Sequence, residues 1–193
     1  MSVSETNLLR KIKGGNVYSD CTLPSAYGVP TLTAGVPAGG VDVGATMGVT
    51  TFMYRANIET VEIEQTTGKV APHVVDEEIG MTFVAGEATA TNLKLALSQT
   101  HVATVTSGGS TYSVMHLGGH VDVTGNCVAV VAEKANQPGY YYGGMIYNAY
   151  ISDATEVPHK RGEVQQLSIS LAGSALISRS DGDRMGQYFD QSA

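Results

Sequence analysis

Alternation of apolar and polar residues constrains this chain more than any other feature. In "VQQLSISLAG", Leu167, Ile169 and Leu171 alternate with polar neighbours, which is the period of a strand with one buried and one wet face. Comparable runs are "VTTFMY", "TVEIEQ", "EEIGMTFVAG", "TYSVMHL", "NCVAVVAEK" and "GMIYNAYIS". The 23 glycines and the low share of charged residues, 15%, also favour short strands and turns. We therefore expect a mainly β domain.

One stretch has helical spacing instead. In "EATATNLKLALSQT", Leu93, Ala96 and Leu97 fall at i, i+3 and i+4, and Thr89 or Thr91 can cap the first turn. This pattern predicts one short helix near residues 88–99. A lone helix among strands has to bury its apolar stripe against a sheet.

The two ends of the chain differ from its middle. Residues 1–48 are rich in Gly and Pro and show little periodicity, so we expect an extended N-terminal arm with loops. Residues 178–193 are polar and are expected to form a C-terminal tail. The basic start of the chain lacks an apolar signal region, and no run reaches the length that spans a bilayer. These features predict a protein without a membrane segment that is made in the cytoplasm.

The net charge of -7 disfavours tight binding of nucleic acid, because binding depends on neutralising phosphates. Between Asp42 and Lys94 the chain carries eight acidic and three basic residues, so most of the net charge lies there. In "TVEIEQ", Glu62 and Glu64 alternate with apolar residues and are expected on the wet face of a strand. From the residues alone, a solubilising outer surface is the simplest interpretation of this acidic block.

No motif indicates catalysis or a bound cofactor. His116 and His120 in "HLGGH" have the spacing of helical metal ligands, but the glycines between them favour a turn. Asp181 and Asp183 resemble the start of a calcium loop without the glutamate that completes it. We expect neither an enzyme nor a metal or cofactor site.

The two cysteines, Cys21 and Cys127, have no ligand spacing. Free thiols in a reducing compartment are the first interpretation. A single disulfide between them remains open.

Five of the ten tyrosines lie in "PGYYYGGMIYNAY". Stacking of bases would also need a basic groove, and no basic residues lie nearby. Tyrosine is favoured where protein surfaces meet, so Tyr140, Tyr141 and Tyr142 are candidates for contacts within the core and between subunits. Pro72 and Val74, in the polar excursion between two strands, are further candidates for subunit contact.

Residues 41–100 resemble the core of the major tail tube proteins of long-tailed phages. The resemblance rests on the "DVGAT" start, a strand ending in the acid-Gln pair Glu64 and Gln65, and the "G-x-V" loop at Gly68 to Val70. An acidic turn before "MTFVAGEATATNL" and the short helix complete it. The resemblance implies a β-sandwich or rolled β-barrel over residues 49–177 with one flanking α-helix.

The same resemblance implies a structural protein of the virion, made in the host cytoplasm, that stacks as hexameric rings into a hollow tube. Its partners would be copies of itself, the tape measure protein, the tail tip and terminator proteins, and DNA that passes without tight binding. Acidic residues would line the lumen and repel the DNA backbone. The candidates for this lining are Glu62, Glu64, Asp76, Glu77 and Glu78.

Two other interpretations stay open at this point. A monomeric or trimeric β-sandwich that binds a ligand or decorates a virion would use the tyrosine cluster as its binding face. An enzyme with a scattered site is the third. Removal of residues 1–48 is expected to separate the first two, since a tube subunit should lose assembly and keep its fold.

Overall fold

The polypeptide forms a large antiparallel sheet with one short helix. The computed structural model describes residues 3–59, 72–97, 102–115, 125–157 and 166–192. Within these ranges the strands are β1 (Val3–Lys13), β2 (Asn16–Ser19), β3 (Leu32–Thr33), β4 (Val36–Pro37), β5 (Val41–Asp42), β6 (Thr46–Glu59), β7 (His73–Ala85), β8 (Val102–Ser107), β9 (Ser110–Met115), β10 (Asn126–Lys134), β11 (Gln137–Ile151), β12 (Leu167–Gly173) and β13 (Gly186–Asp190). The helix, α1, spans Ala90–Ala96. The expected mainly β fold with one helix is confirmed.

Nine strands belong to the main sheet, in the order β1-β6-β7-β12-β11-β10-β2-β5, with β13 also paired to β11. β3 with β4 and β8 with β9 form two separate hairpins. All of the strand pairs are antiparallel. The helix in the described part of the chain has seven residues and is too short to cross a membrane.

The main core shows that the sheet is rolled. Val17 of β2 and Val43, beside β5, share one buried cluster with Phe52 of β6 and Met81 of β7. These strands lie toward opposite ends of the strand order, so the sheet must curl until its two ends face each other. The alternation of apolar and polar residues supplies side chains to this core. In β12 the residues that point inward are the ones that the spacing predicts, Leu167, Ile169 and Leu171.

Strands β10 and β11 are covered on both faces. Val128 and Ile146 face the main core, while Ala129, Met145 and Tyr147 face a second, smaller cluster. A close approach inside the main core requires glycine, because a Cβ on Gly144 of β11 would lie 2.5 Å from the Phe52 ring. Burial on both sides accounts for the nearly continuous apolar sequence of β10.

The helix forms where its spacing predicts. Thr89 caps it, with the side-chain oxygen accepting a hydrogen bond from the backbone nitrogen of Asn92 at 3.2 Å. Leu95 and Ala96 are buried in the main core. The amide of Asn92 donates to the carbonyl of Val43 at 2.9 Å, which ties the helix to the chain just before β6.

The structure corrects the predicted N-terminal arm. β1 pairs with β6 along its full length, and β2 pairs with β10 inside the sheet. Val17 and Tyr18 are buried, with 0% and 4% of their surface exposed. Removal of residues 1–48 would therefore take part of the core away, and assembly could not be lost while the fold is kept. The prediction missed this because these strands pair with residues distant in the sequence.

The predicted C-terminal tail is also corrected. Within residues 178–193, β13 pairs with β11, from Tyr142↔Asp190 to Ile146↔Gly186. Phe189 is 8% exposed and belongs to the smaller cluster. Gln191 and Ser192, which follow β13, lie outside the sheet, as do residues 178–185.

Candidate functional site

The far half of the β6–β7 hairpin carries the acidic residues singled out above. Phe52 and Met81 pair in the core, whereas residues 73–78 are all exposed. We call residues 53–59 and 73–79 the distal ribbon. Its inner face continues the side of the sheet that holds Phe52, and its outer face is the opposite one.

The structure divides the three acids of β7 between the two faces. Ala56, on the core side of β6, pairs with Glu77, while Arg55 pairs with Glu78 and Asn57 with Asp76. Because neighbouring side chains of a strand point to opposite faces, Glu77 lies on the inner face, and Asp76 and Glu78 lie on the outer face. The acidic turn expected before "MTFVAG" is instead part of strand β7, which divides its three acids between two faces, and their place in a lumen stays a prediction.

The outer face around these two acids is polar. Thr82 of β7 and Ser168 of β12 lie on this face and are exposed, and Thr51 and Ser170 are half-buried. A sheet face with hydroxyls and carboxylates is suited to contact with water. The same face also carries Arg55, opposite Glu78, and the exposed Met53, so the two acids lie beside one basic and one apolar side chain.

On the inner face, Glu77 is engaged by a tyrosine. The hydroxyl of Tyr54 donates a hydrogen bond of 2.6 Å to Oε1 of Glu77. Partial burial, the hydrogen bond and the charge of Glu77 raise the pKa of Tyr54 to about 12. Tyr54 therefore stays protonated at neutral pH and holds the Glu77 side chain in place.

An open groove of about 960 Å³ lies between the inner face of the distal ribbon and residues 181–188. Its lining includes Tyr54, Val74, Glu77, Asp181, Arg184 and Tyr188. Asp181 and Arg184 pair with each other at 2.7 Å, so they neutralise one another. No group of three or more His, Cys, Asp or Glu residues suited to a metal occurs among the described residues.

The predicted contact residues fall into two environments. Val74 lies in the distal ribbon and Pro72 directly precedes its second strand; both are exposed, Val74 by 51%. Tyr140, Tyr141 and Tyr142 are half-buried at the start of β11. Their role in subunit contact stays a prediction.

Part of the tyrosine surface serves the subunit itself. Tyr142 packs against the main core and Tyr141 against the smaller cluster. The Tyr141 ring also lies against Gly35, where a Cβ would be 2.6 Å from the ring. Gly35 has φ of 82° and Ala34 has φ of 50°, the turn that joins β3 to β4. Tyr141 thus holds this small hairpin on the sheet.

Four polar residues form a cluster around the buried carboxylate of Asp183, and the sequence analysis did not bring them together. We call Tyr27, Tyr147, Arg179 and Asp183 the polar clamp. Oδ1 of Asp183 accepts from the hydroxyl of Tyr147, and Oδ2 accepts from Arg179 at 2.9 Å and from the backbone nitrogen of Tyr27 at 2.8 Å. The Arg179 guanidinium lies 4.3 Å from the centre of the Tyr147 ring.

The polar clamp determines the charge state of its carboxylate. Burial alone would raise the pKa of Asp183, but the hydrogen bonds from Tyr27, Tyr147 and Arg179 outweigh it and lower the pKa. Burial and the bond to Asp183 raise the pKa of Tyr147. Asp183 therefore has a structural role within this cluster. The spacing of four between Arg179 and Asp183 was the one local signal for it.

Several predicted residues lie outside the part of the chain that the structure describes. They are Glu62 and Glu64 of the acidic block, together with His116 and His120.

A long strand edge lies next to the distal ribbon. β1 is the first strand in the sheet order, and among the described residues its only partner is β6. Within the described ranges, no strand pairs with the other edge of these 11 residues. The opposite end of the order is β5, which has only two residues.

Comparison of the sequence with protein-family models and with curated proteins finds no match.

Proposed function

We propose that this protein is the subunit of a hollow, non-contractile phage tail tube. Copies would form hexameric rings that stack into a conduit for DNA during ejection. The proposal starts from the resemblance of residues 41–100 to tail tube proteins. The structural observation that carries it is the unpaired edge of β1.

An unpaired edge of this length favours association between copies. A free edge exposes a row of backbone N–H and C=O groups, which makes it a template for pairing with another strand. The neighbouring β6–β7 hairpin extends beyond the core and carries the exposed residues Val74 and Val75, which are 51% and 53% exposed. A closed ring would cover both features, because every copy offers the same surfaces to its neighbours.

The outer face of the distal ribbon is our candidate for the lumen. Asp76 and Glu78 lie on it beside the hydroxyls of the sheet. Carboxylates repel the phosphate backbone and hydroxyls carry no charge, so DNA could pass such a surface without tight binding. Under this proposal the other partners are the tape measure protein at the lumen and the tip and terminator proteins at the ends.

Electron microscopy of the negatively stained, purified protein tests the proposal. We expect hollow filaments of stacked rings once the protein is concentrated. A variant that lacks residues 3–13 should stay folded, with a circular dichroism spectrum that loses only the signal of one strand, and should lose the filaments, because β1 is removed while the buried residues from Val17 onward remain. Removal of Ser192 and Ala193, which follow the last strand, is the control and should leave assembly intact.

Sedimentation over the same concentration range provides the opposing outcome. A monodisperse monomer or trimer at every concentration would contradict the tube. It would favour a decoration or ligand-binding protein instead. Filaments that persist without residues 3–13 would show that β1 does not form the contact between copies.

A further inference from the structure

Cys21 and Cys127 lie side by side at the edge of the smaller cluster. The pairing of β2 with β10 includes Tyr18↔Ala129, and the chain then turns at Asp20, which has φ of 55°. After this turn the backbone nitrogen of Cys21 donates to the carbonyl oxygen of Cys127 at 3.0 Å. Both cysteines are free, and they are 6% and 7% exposed.

This backbone contact brings the two residues within reach of a covalent bond. In a strand pair that exchanges both backbone hydrogen bonds the Cα atoms lie about 5.5 Å apart, and here one such bond joins Cys21 to Cys127 while a second hydrogen bond joins the two thiols. Disulfides span Cα separations of about 4.4 to 6.8 Å. Both side chains also belong to the same buried cluster, so their sulfur atoms share one environment.

The two thiols are chemically unequal. A hydrogen bond from Cys127 lowers the pKa of Cys21, although burial opposes it. The same bond, together with burial, raises the pKa of Cys127. Cys21 is therefore the better nucleophile of the pair, because the thiolate is the attacking form.

We propose that Cys21 and Cys127 form a disulfide within the chain when the protein meets an oxidant of the peroxide class. The Cys21 sulfur attacks one peroxide oxygen, and the O–O bond breaks. The other oxygen departs as water, and Cys21 becomes a sulfenic acid. The Cys127 sulfur then attacks the Cys21 sulfur, the S–O bond breaks, and the oxygen leaves as a second water with the Cys127 proton. In total the two thiols lose two electrons and two protons, which reduce one peroxide to two waters.

The disulfide would close a loop that contains every strand from β3 to β9 and the helix. A long closed loop restricts the unfolded chain strongly, so unfolding is disfavoured. The bond would also attach the segment after β2 to β10, next to the polar clamp. If the protein is a tail tube subunit, thiols made in a reducing cytoplasm would become disulfides after release of the particle.

Intact-mass spectrometry of the purified full chain tests the proposal. Protein kept in reductant, freed of it and treated with hydrogen peroxide is denatured, alkylated and weighed. We expect both thiols to become resistant to alkylation together, with the mass lower by two hydrogen atoms. A proteolytic digest should contain one peptide pair that joins Cys21 to Cys127, and dithiothreitol should reverse the change.

Unfolding in urea gives the second measurement. The oxidised protein should have a midpoint about 1–2 M higher than the reduced protein. The variants C21A and C127A should show no rise in the midpoint after the same treatment. Each keeps the small apolar volume of the site, and circular dichroism checks its fold.

Three outcomes would overturn the proposal: thiols that both remain open to alkylation, sulfinic acids without a link, or disulfides only between chains. The measurement is made on the subunit and does not depend on filaments. If the disulfide forms in a protein that never assembles, the proposed tail tube function is contradicted and the proposed disulfide is supported.

Discussion

The hydroxyl of Tyr147 donates a hydrogen bond of 2.7 Å to Oδ1 of Asp183. Asp183 lies in a turn between residue 173, where β12 ends, and β13, and Tyr147 lies in the middle of β11. Arg179 completes the contact by pairing with Asp183 and by donating to the carbonyl oxygens of Pro24 and Ser25 at 3.1 and 2.9 Å. The polar clamp therefore joins the N-terminal loop, a central strand and the C-terminal segment.

Replacement of Asp183 by Asn is expected to destabilise the fold by about 3 kcal/mol, because Arg179 would be left without its carboxylate partner in a buried place. The side chains of Arg179 and Asp183 are only 10% and 6% exposed. Urea unfolding at neutral pH measures the loss. Asp181→Asn is the control, since Asp181 is 90% exposed in its pair with Arg184 and should change stability by about 0.5 kcal/mol or less. Equal losses in the two variants would contradict the assigned role.

Acidic pH should lower the stability of the folded protein, because it protonates the carboxylate of Asp183. The pKa of Asp183 is lower in the folded state than its ordinary value of 3.8. Its contribution to stability is therefore fully present above about pH 4 and is lost as the pH falls below that value toward the folded-state pKa. Unfolding midpoints between pH 6 and about pH 3 should fall more steeply for the native chain than for Asp183→Asn. Parallel curves would show that Asp183 is not the group involved.

Tyr54 should ionise later than an ordinary tyrosine. Its pKa of about 12 arises first from burial and then from the bond and charge of Glu77. Ultraviolet titration of the tyrosines should show a late group with a pKa of about 12 in the native chain that is absent from Tyr54→Phe, whereas the late ionisation of Tyr147 remains in both. Glu77→Gln should move this group to lower pH without restoring the ordinary value, because burial remains. No shift in Glu77→Gln would contradict the contact.

Reversal of charge on the outer face should leave the fold intact and change the behaviour toward DNA. Asp76→Lys should change stability by about 0.5 kcal/mol or less, and Glu78→Lys, which places a second positive charge opposite Arg55, should lower it by up to about 1 kcal/mol. If the outer face lines a lumen, double-stranded DNA should bind assembled filaments of this variant and dissociate as salt rises. Fluorescence anisotropy at several salt concentrations measures the binding.

The matched control for this charge reversal is Glu87→Lys with Glu156→Lys, which makes the same charge change at exposed positions before and beyond the helix. Equal DNA binding by both variants would show that only net charge matters. The outer face would then lose its assignment as the lumen.

The sequence predicts the elements whose cause is local. Strand β10 spans the nine residues of "NCVAVVAEK" as predicted, and Thr89 caps the helix as its position suggests. β1 escaped prediction because its partners in β6 lie 36 to 56 residues further along, from Lys13↔Val49 to Val3↔Glu59, and only the pairing makes it a strand. The same holds for β13, whose partner β11 precedes it.

The candidate site was predictable only in part. Composition indicates an acidic block, yet which face each acid takes depends on the register of β7 against β6. The polar clamp had no readable pattern, since Tyr27 and Tyr147 stand 156 and 36 positions from Asp183. Contacts between such distant positions follow from the rolled sheet, and no sequence window contains them.

The polar clamp also joins the two ends of the polypeptide. Tyr27 donates both its backbone nitrogen and its hydroxyl to the C-terminal segment, at 2.8 and 2.7 Å, and Arg179 reaches back to Pro24 and Ser25. The N-terminal loop and the C-terminal segment are thus held against each other beside β11. A single cut in the exposed β8–β9 turn, at Gly108 and Gly109, would leave two fragments that remain held together, and that turn is the natural place to open the chain for a circular permutant.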